Sequence, residues 1–302
     1  MVHDRLNIEE WISRFPLAQA RREAGDFVER ERLQSPEDYP NEDAVEAHIA
    51  LMSPGGEIVC SPGDLALAEQ LRREAFAEQQ IQGVPTDIFV FGRGEPNQRE
   101  ATKVGGLPYW SASQDWPSSA EGRALTFIGQ ICFADSRDIV GKLPGDVLLI
   151  FGPKDSEYLD PDESELEFFW RDMGDSDLIG PGGMPQCEFA IPPSYGVICR
   201  TFDYPGAGPL LGRYREAELL AVLEGTKIGG VPRWIQDPES LPGRFLCALG
   251  SLSFSADAPY PFVNMPEPVA DADLHGPMWG DMGSLYVFLE RGEVLHVIVQ
   301  CY

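Results

Sequence analysis

Histidine is nearly absent from this chain: His3, His48, His275 and His296 are the whole complement in 302 residues. That scarcity weakens every mechanism needing an imidazole base or a multi-histidine metal centre. The six cysteines, at positions 60, 132, 187, 199, 247 and 301, form no C-x-x-C pair, which argues against a zinc site or a thioredoxin-like redox motif. Scattered in this way they read as reduced thiols, with Cys132 and Cys247 as small buried hydrophobes inside apolar runs. No apolar run approaches the roughly 18–20 residues that span a bilayer. Residues 1–7 lack the basic start and apolar core of a signal peptide, so a cytoplasmic location is expected. No G-x-S-x-G elbow, H-E-x-x-H helix or Walker loop occurs, and no cofactor is expected. Positive charge is scarce as well: 23 Lys and Arg stand against 49 Asp and Glu, a formal charge of −26. Such a balance argues against nucleic acid and anionic membranes, both recognised by neutralising phosphate. It suits solubility or docking to a basic protein.

What is present is enough for a packed core, with 43% hydrophobic and 10% aromatic residues. Residues 1–84 read as a helical extension. A helical pattern opens at Ile8, resumes near Pro16 and runs through Leu33. Ser61 and Pro62 then supply an N-cap and a first-turn proline for a further helix. From Thr86 onward, runs at 88–91, 148–151, 166–170, 197–202, 285–289 and 294–299 read as strands between Gly and Pro turns.

The most informative feature is an internal repeat. Thr102-Lys103-Val104-Gly105-Gly106-Leu107-Pro108-Tyr109-Trp110 returns as Thr226-Lys227-Ile228-Gly229-Gly230-Val231-Pro232-Arg233-Trp234. A second motif, residues 122–133, returns as 243–254, which aligns Gly129 with Gly250. Its alternate positions (Leu125, Phe127, Gly129, Ile131 and Phe133 in the first copy) are expected on one face of a strand. The inference is duplication. The expected fold is α+β, with N-terminal helices on a duplicated, mainly antiparallel β-rich core. Residues 85–302 form that core, in two pseudo-symmetric halves of about 85–180 and 187–302. The second half carries a Pro- and Asp-rich insert at 259–280.

These residues resemble the YwqG-like family, a domain of unknown function. The likeness rests on Lys103-x-Gly105-Gly106-x-Pro108-x-Trp110, Trp116-Pro117 and Leu125-x-Phe127-Ile128-x-Gln130, then on Gly229-Gly230-x-Pro232-x-Trp234 and Trp279-Gly280-Asp281-x-Gly283-x-Leu285-Tyr286. It covers about residues 86–302 and leaves the helical extension aside. It implies a bacterial, cytoplasmic α+β protein with a duplicated β core. Family members often lie near toxin–immunity genes, which implies an immunity or protein-binding role. The family supplies no catalytic residues to carry over.

Chemistry-bearing candidates are few. Asp271, Asp273 and His275, with Asp281 nearby, could hold a divalent cation or supply an acid and a base. The competing reading is an ordinary loop and turn. Lys103 and Lys227, with Trp110, Trp234, Trp279 and Asp281, are candidates for a ligand site in a cleft between the halves. Against this, each glycine pair would supply a positive-φ turn and each lysine would lie over an aromatic ring. Residues 206–212 imitate a dinucleotide loop but read as a turn, and the acidic stretch 155–177 reads as a solvated loop. The leading expectation is a non-catalytic protein-binding module, an acidic immunity protein masking a basic toxin domain. The alternative is an enzyme or a small-ligand or metal binder using the cleft.

Overall fold

The computed structural model describes residues 5–34, 62–76, 81–153, 159, 161–186, 190–206, 221–252, 277–291 and 294–302. Helix α1 (Ile8–Arg14) begins where the Asn7 side chain accepts the Glu9 N–H at 3.2 Å. It is followed by α2 (Leu17–Gln34) and α3 (Pro62–Phe76). The strands are β1 (Val84–Arg93), β2 (Lys103–Val104), β3 (Thr126–Cys132), β4 (Val147–Gly152) and β5 (Glu167–Arg171). After them come β6 (Ser194–Asp203), β7 (Lys227–Gly229), β8 (Arg244–Gly250), β9 (Ser284–Leu289) and β10 (Leu295–Gln300). A one-turn helix, α4 (Arg137–Val140), lies between β3 and β4.

The strands form one antiparallel sheet in the order β10-β9-β8-β7-β1-β6-β2-β3-β4-β5. Its centre is the long pair β1–β6, running from Val84 opposite Asp203 to Arg93 opposite Ser194. The short strands cross over: β2 pairs with β6, and β7 with β1. The sheet curls until its far ends touch, where the Val299 N–H donates to the Glu163 carboxylate at 3.3 Å and Leu159 bridges to Trp279. Among the described residues no helix is long and apolar enough to cross a membrane.

Apolar side chains fill both faces. Phe89, Phe91, Ile131, Leu148, Leu249 and Val287 belong to the cluster on the inner face. On the outer face of β1 and β6, Ile88, Val90 and Cys199 pack against Leu17, Leu65, Ala68 and Leu71 of the helices. The continuous run Ile88-Phe89-Val90-Phe91 is thus explained, because a strand buried on both sides has no reason to alternate. Arg72 docks α3 from below, donating to the Phe202 carbonyl and to Glu69, which also takes the Thr201 hydroxyl at 2.6 Å.

Strand parity departs from expectation. The β3–β4 register shifts between Phe127 and Gly129, a bulge that places one extra residue in β3. Leu125 and Phe127 therefore pack on the outer cluster with Trp110, whereas Ile131 and Phe133 join the inner one. The β8–β9 pair shifts likewise between Phe245 and Cys247. Val104 lies opposite Gly129 and Ile228 opposite Cys247, so Gly129 corresponds to Cys247 and not to Gly250. Two matching bonds agree: Cys132 N–H donates to Thr102 Oγ1 at 2.9 Å, and Gly250 N–H to Thr226 Oγ1 at 3.1 Å.

The helical layer shares its core with the sheet, so truncating its centre should be felt globally. Leu65→Ala removes a fully buried side chain and is expected to cost about 2–5 kcal/mol in urea unfolding. A loss well under 1 kcal/mol would mean that α3 does not rest on β1 and β6.

Candidate functional site

The repeated motif builds the same device twice. In the first copy, Lys103 Nζ lies 3.0 Å from Glu95 Oε2, and the Leu107 N–H donates to Glu95 Oε1 at 2.6 Å. In the second, Lys227 Nζ lies 2.8 Å from Asp203 Oδ2, and the Val231 N–H donates to the same oxygen at 3.0 Å. Each carboxylate thus holds the motif's lysine and the backbone amide four residues further on. Asp203 also accepts the Leu223 N–H at 3.0 Å, while Lys227 donates to the Leu223 carbonyl at 2.8 Å.

The glycine pairs follow from this geometry. Gly105, Gly106, Gly229 and Gly230 have φ of 60°, 67°, 70° and 68°, the left-handed region that favours glycine. A Cβ on Gly106 would fall 1.9 Å from Glu95 Oε1, and one on Gly230 would fall 2.1 Å from Asp203 Oδ2. The second glycine of each pair makes room for the carboxylate.

Among the described residues neither lysine lies over a ring. Both ammonium groups are buried, and burial pulls them below the ordinary lysine range while the facing carboxylates pull back. Each charge is consumed internally. Trp110 stands edge-on to Phe151 and Phe169, at 5.3 and 5.0 Å between centroids, with the Arg171 guanidinium 4.6 Å from its ring. Trp234 holds the matching place against Phe288 and Tyr286, at 6.0 and 5.1 Å. These tryptophans cover the outer faces of β4 and β9 on opposite arms of the sheet.

Trp279 is fully buried in the inner core, which leaves no face for a ligand. Asp281 is exposed in the turn after it, where Gly280 and Met282 both have φ of 52° and the Gly283 N–H donates to the Trp279 carbonyl at 2.7 Å. That is the turn reading of this segment. Asp271, Asp273 and His275 lie outside the described residues, as do residues 207–220. Among the described residues no three His, Cys, Asp or Glu side chains are grouped to hold a metal ion. Burial pushes the Cys132 and Cys199 thiols up to about 12, which makes them inert packing groups. Asp162 caps the turn Glu163–Glu165 with a reciprocal capping box, so part of the acidic stretch is structural.

The first clamp also positions a cavity. Gly106 and Leu107, fixed by Glu95, form one side of a groove of about 920 Å³. Trp116, Leu125 and Phe127 add apolar surface, and Pro185, Pro192 and Pro193 stand among the prolines of its wall. The Trp116 indole is fixed by an N–H bond to the Leu125 carbonyl at 2.7 Å. Ser119 and Arg123 supply polar lining. Such a groove, apolar and pre-formed with a few polar groups, is of the kind that takes a ligand or a peptide side chain. The repeated motifs supply one side of it, but the prolines that complete its wall lie outside them.

These observations define an α+β protein on a large curled antiparallel sheet, with a clamped Lys-x-Gly-Gly motif on each side of the central strands. The chain belongs to the family described as a domain of unknown function (DUF1963), whose model matches residues 102–295. A search of the curated proteins finds no match.

The two clamps differ in solvation: Asp203 is fully buried, whereas the Glu95 side chain is 35% exposed. Breaking a buried pair leaves a charge uncompensated at about 3–5 kcal/mol. Asp203→Ala is therefore expected to lose at least that much in urea unfolding and Glu95→Ala clearly less. Equal, small losses would show that the carboxylates do not carry the turns.

Proposed function

We propose that this chain is a non-catalytic protein-binding module, an acidic protein of the immunity type that masks a basic domain of a toxin. The observation that carries the reading is the apolar, proline-walled groove, set in a chain of charge −26. The groove would seat an apolar side chain of the partner, and the acidic surround would hold its basic rim. Part of the positive charge is already paired with the chain's own carboxylates: Arg72 with Glu69, Arg137 with Asp146, Arg200 with Asp87 and Asp138, and the two clamp lysines. The acidic excess is left to face solvent, with Glu121 beside the groove as one example. Complementary charge of this kind raises association rates towards about 10⁸–10⁹ M⁻¹s⁻¹ at low salt. A cytoplasmic location, a YwqG-like affiliation within the family and the lack of nucleic-acid or membrane partners belong to the same proposal.

The scaffold in this reading is a duplicated one, with 85–302 as two related halves and 1–84 as an added helical layer. Support comes from the mirrored strand order about β1–β6, the paired clamps, the paired Thr bonds and the paired bulges. A small-ligand role is the second reading, favoured by a cavity lined from both halves.

Affinity capture from native cells tests the first reading. The intact protein is expected to retain a basic protein whose binding weakens with salt, since screening shortens the Debye length to about 8 Å at physiological ionic strength. Leu107→Asp, in the groove, should cut retention at least tenfold with the fold intact. Recovery of no basic protein, or retention unmoved by the substitution, contradicts the proposal.

A further inference from the structure

A second cavity, of about 700 Å³, lies on the seam between the two arms of the sheet. Lys142 and Leu143 reach it from the segment between α4 and β4, Arg244 from the start of β8, and Leu289 and Arg291 from the end of β9. Three cations on one concavity run against the character of this chain, in which acids outnumber bases 49 to 23. Several bases elsewhere meet carboxylates, as Arg14 meets Glu10, Arg21 meets Glu74 and Arg73 meets Glu9. Here they do not. Among the described residues Lys142, Arg244 and Arg291 form no ion pair. The one carboxylate in the lining among the described residues, Glu290, faces His296 Nε2 at 2.9 Å. Three cations facing a single carboxylate leave the concavity with an excess of positive charge, which a bound anion would offset.

The backbone around the cavity is held firmly. Arg244 pairs with Leu289 across β8–β9, and its guanidinium donates to the Val140 carbonyl. Gly243 has a φ of 90°, and a Cβ there would lie 2.5 Å from the Leu289 carbonyl. The strand end at which Arg244 begins therefore cannot shift without opening this contact. Leu143, Pro144 and Leu289 give the concavity an apolar side, and its volume falls in the range of small-molecule sites.

We propose that this seam cavity binds a small organic anion, its phosphate or carboxylate group held by Lys142, Arg244 and Arg291 and its apolar part laid on Leu143 and Leu289. The guanidinium groups offer forked donors to the anion's oxygens, and Lys142 adds a point charge. The proposal concerns a site apart from the proline-walled groove and stands without the protein-binding reading.

Calorimetric titration of the full chain at fixed ionic strength tests it, with inorganic pyrophosphate as the phosphate probe and glutarate as the carboxylate probe. Saturable binding of at least one probe is expected, and which one binds tells the two chemistries apart. The double variant Lys142→Gln/Arg291→Gln changes two exposed side chains, so its urea midpoint should match the parent's, and it should weaken binding at least tenfold. Arg123→Gln, in the other groove, should leave binding unchanged. No saturable binding of either probe, or equal binding by the parent and the double variant, would overturn the proposal.

Discussion

A lysine ammonium buried in protein is costly unless a carboxylate meets it, and this fold sets two such meetings at either side of its central strands. Lys103 with Glu95 and Lys227 with Asp203 tie the end of a long strand to the short strand that follows it. The same carboxylates capture the amides of Leu107 and Val231, which fixes the path of the chain beyond each glycine pair. The pair is not needed for raw stability, since apolar groups of like volume can replace buried ions at little cost. Its contribution is conformational: a turn with two consecutive positive-φ residues has many alternatives, and the clamp selects one.

The rest of the architecture follows from that selection. With β2 held beyond β1 and β7 beyond β6, each short strand joins the opposite long strand, and three further strands extend on each side. The segments leaving the clamps carry Trp110 and Trp234 onto the outer faces of β4 and β9, while the helices cover the outer face of the centre. The inner face then closes on its own apolar side chains. Concavities are left where this packing ends, at the groove beside Leu107 and at the seam beside Arg244.

Much of this was legible in the residues, for identifiable reasons. The strand runs and the helices of the extension follow from periodicity, and Gly-Gly announced the positive-φ turns. The lysines' partners were not legible: Glu95 lies outside the repeated motif, and Asp203 sits at the end of a strand whose register only the fold supplies. The alignment of Gly129 with Gly250 failed because it matched residue types along the chain, whereas pairing with the short strands sets Gly129 opposite Val104 and Cys247 opposite Ile228. Trp279 and Asp281 suggested a ligand site by residue type, yet one is core and the other a turn. The seam cations were not legible since Lys142, Arg244 and Arg291 are far apart in the chain, and only Arg244 belongs to a repeated motif.

Amide hydrogen exchange at Leu107 and Val231 tests the clamps most directly. Both residues lie outside the strands, where an amide without a partner would exchange with the fast surface population. The account predicts that both are protected to the level of the neighbouring strand amides, and that Asp203→Asn releases Val231 while leaving Leu107 slow. Fast exchange at both positions in the parent protein would contradict it.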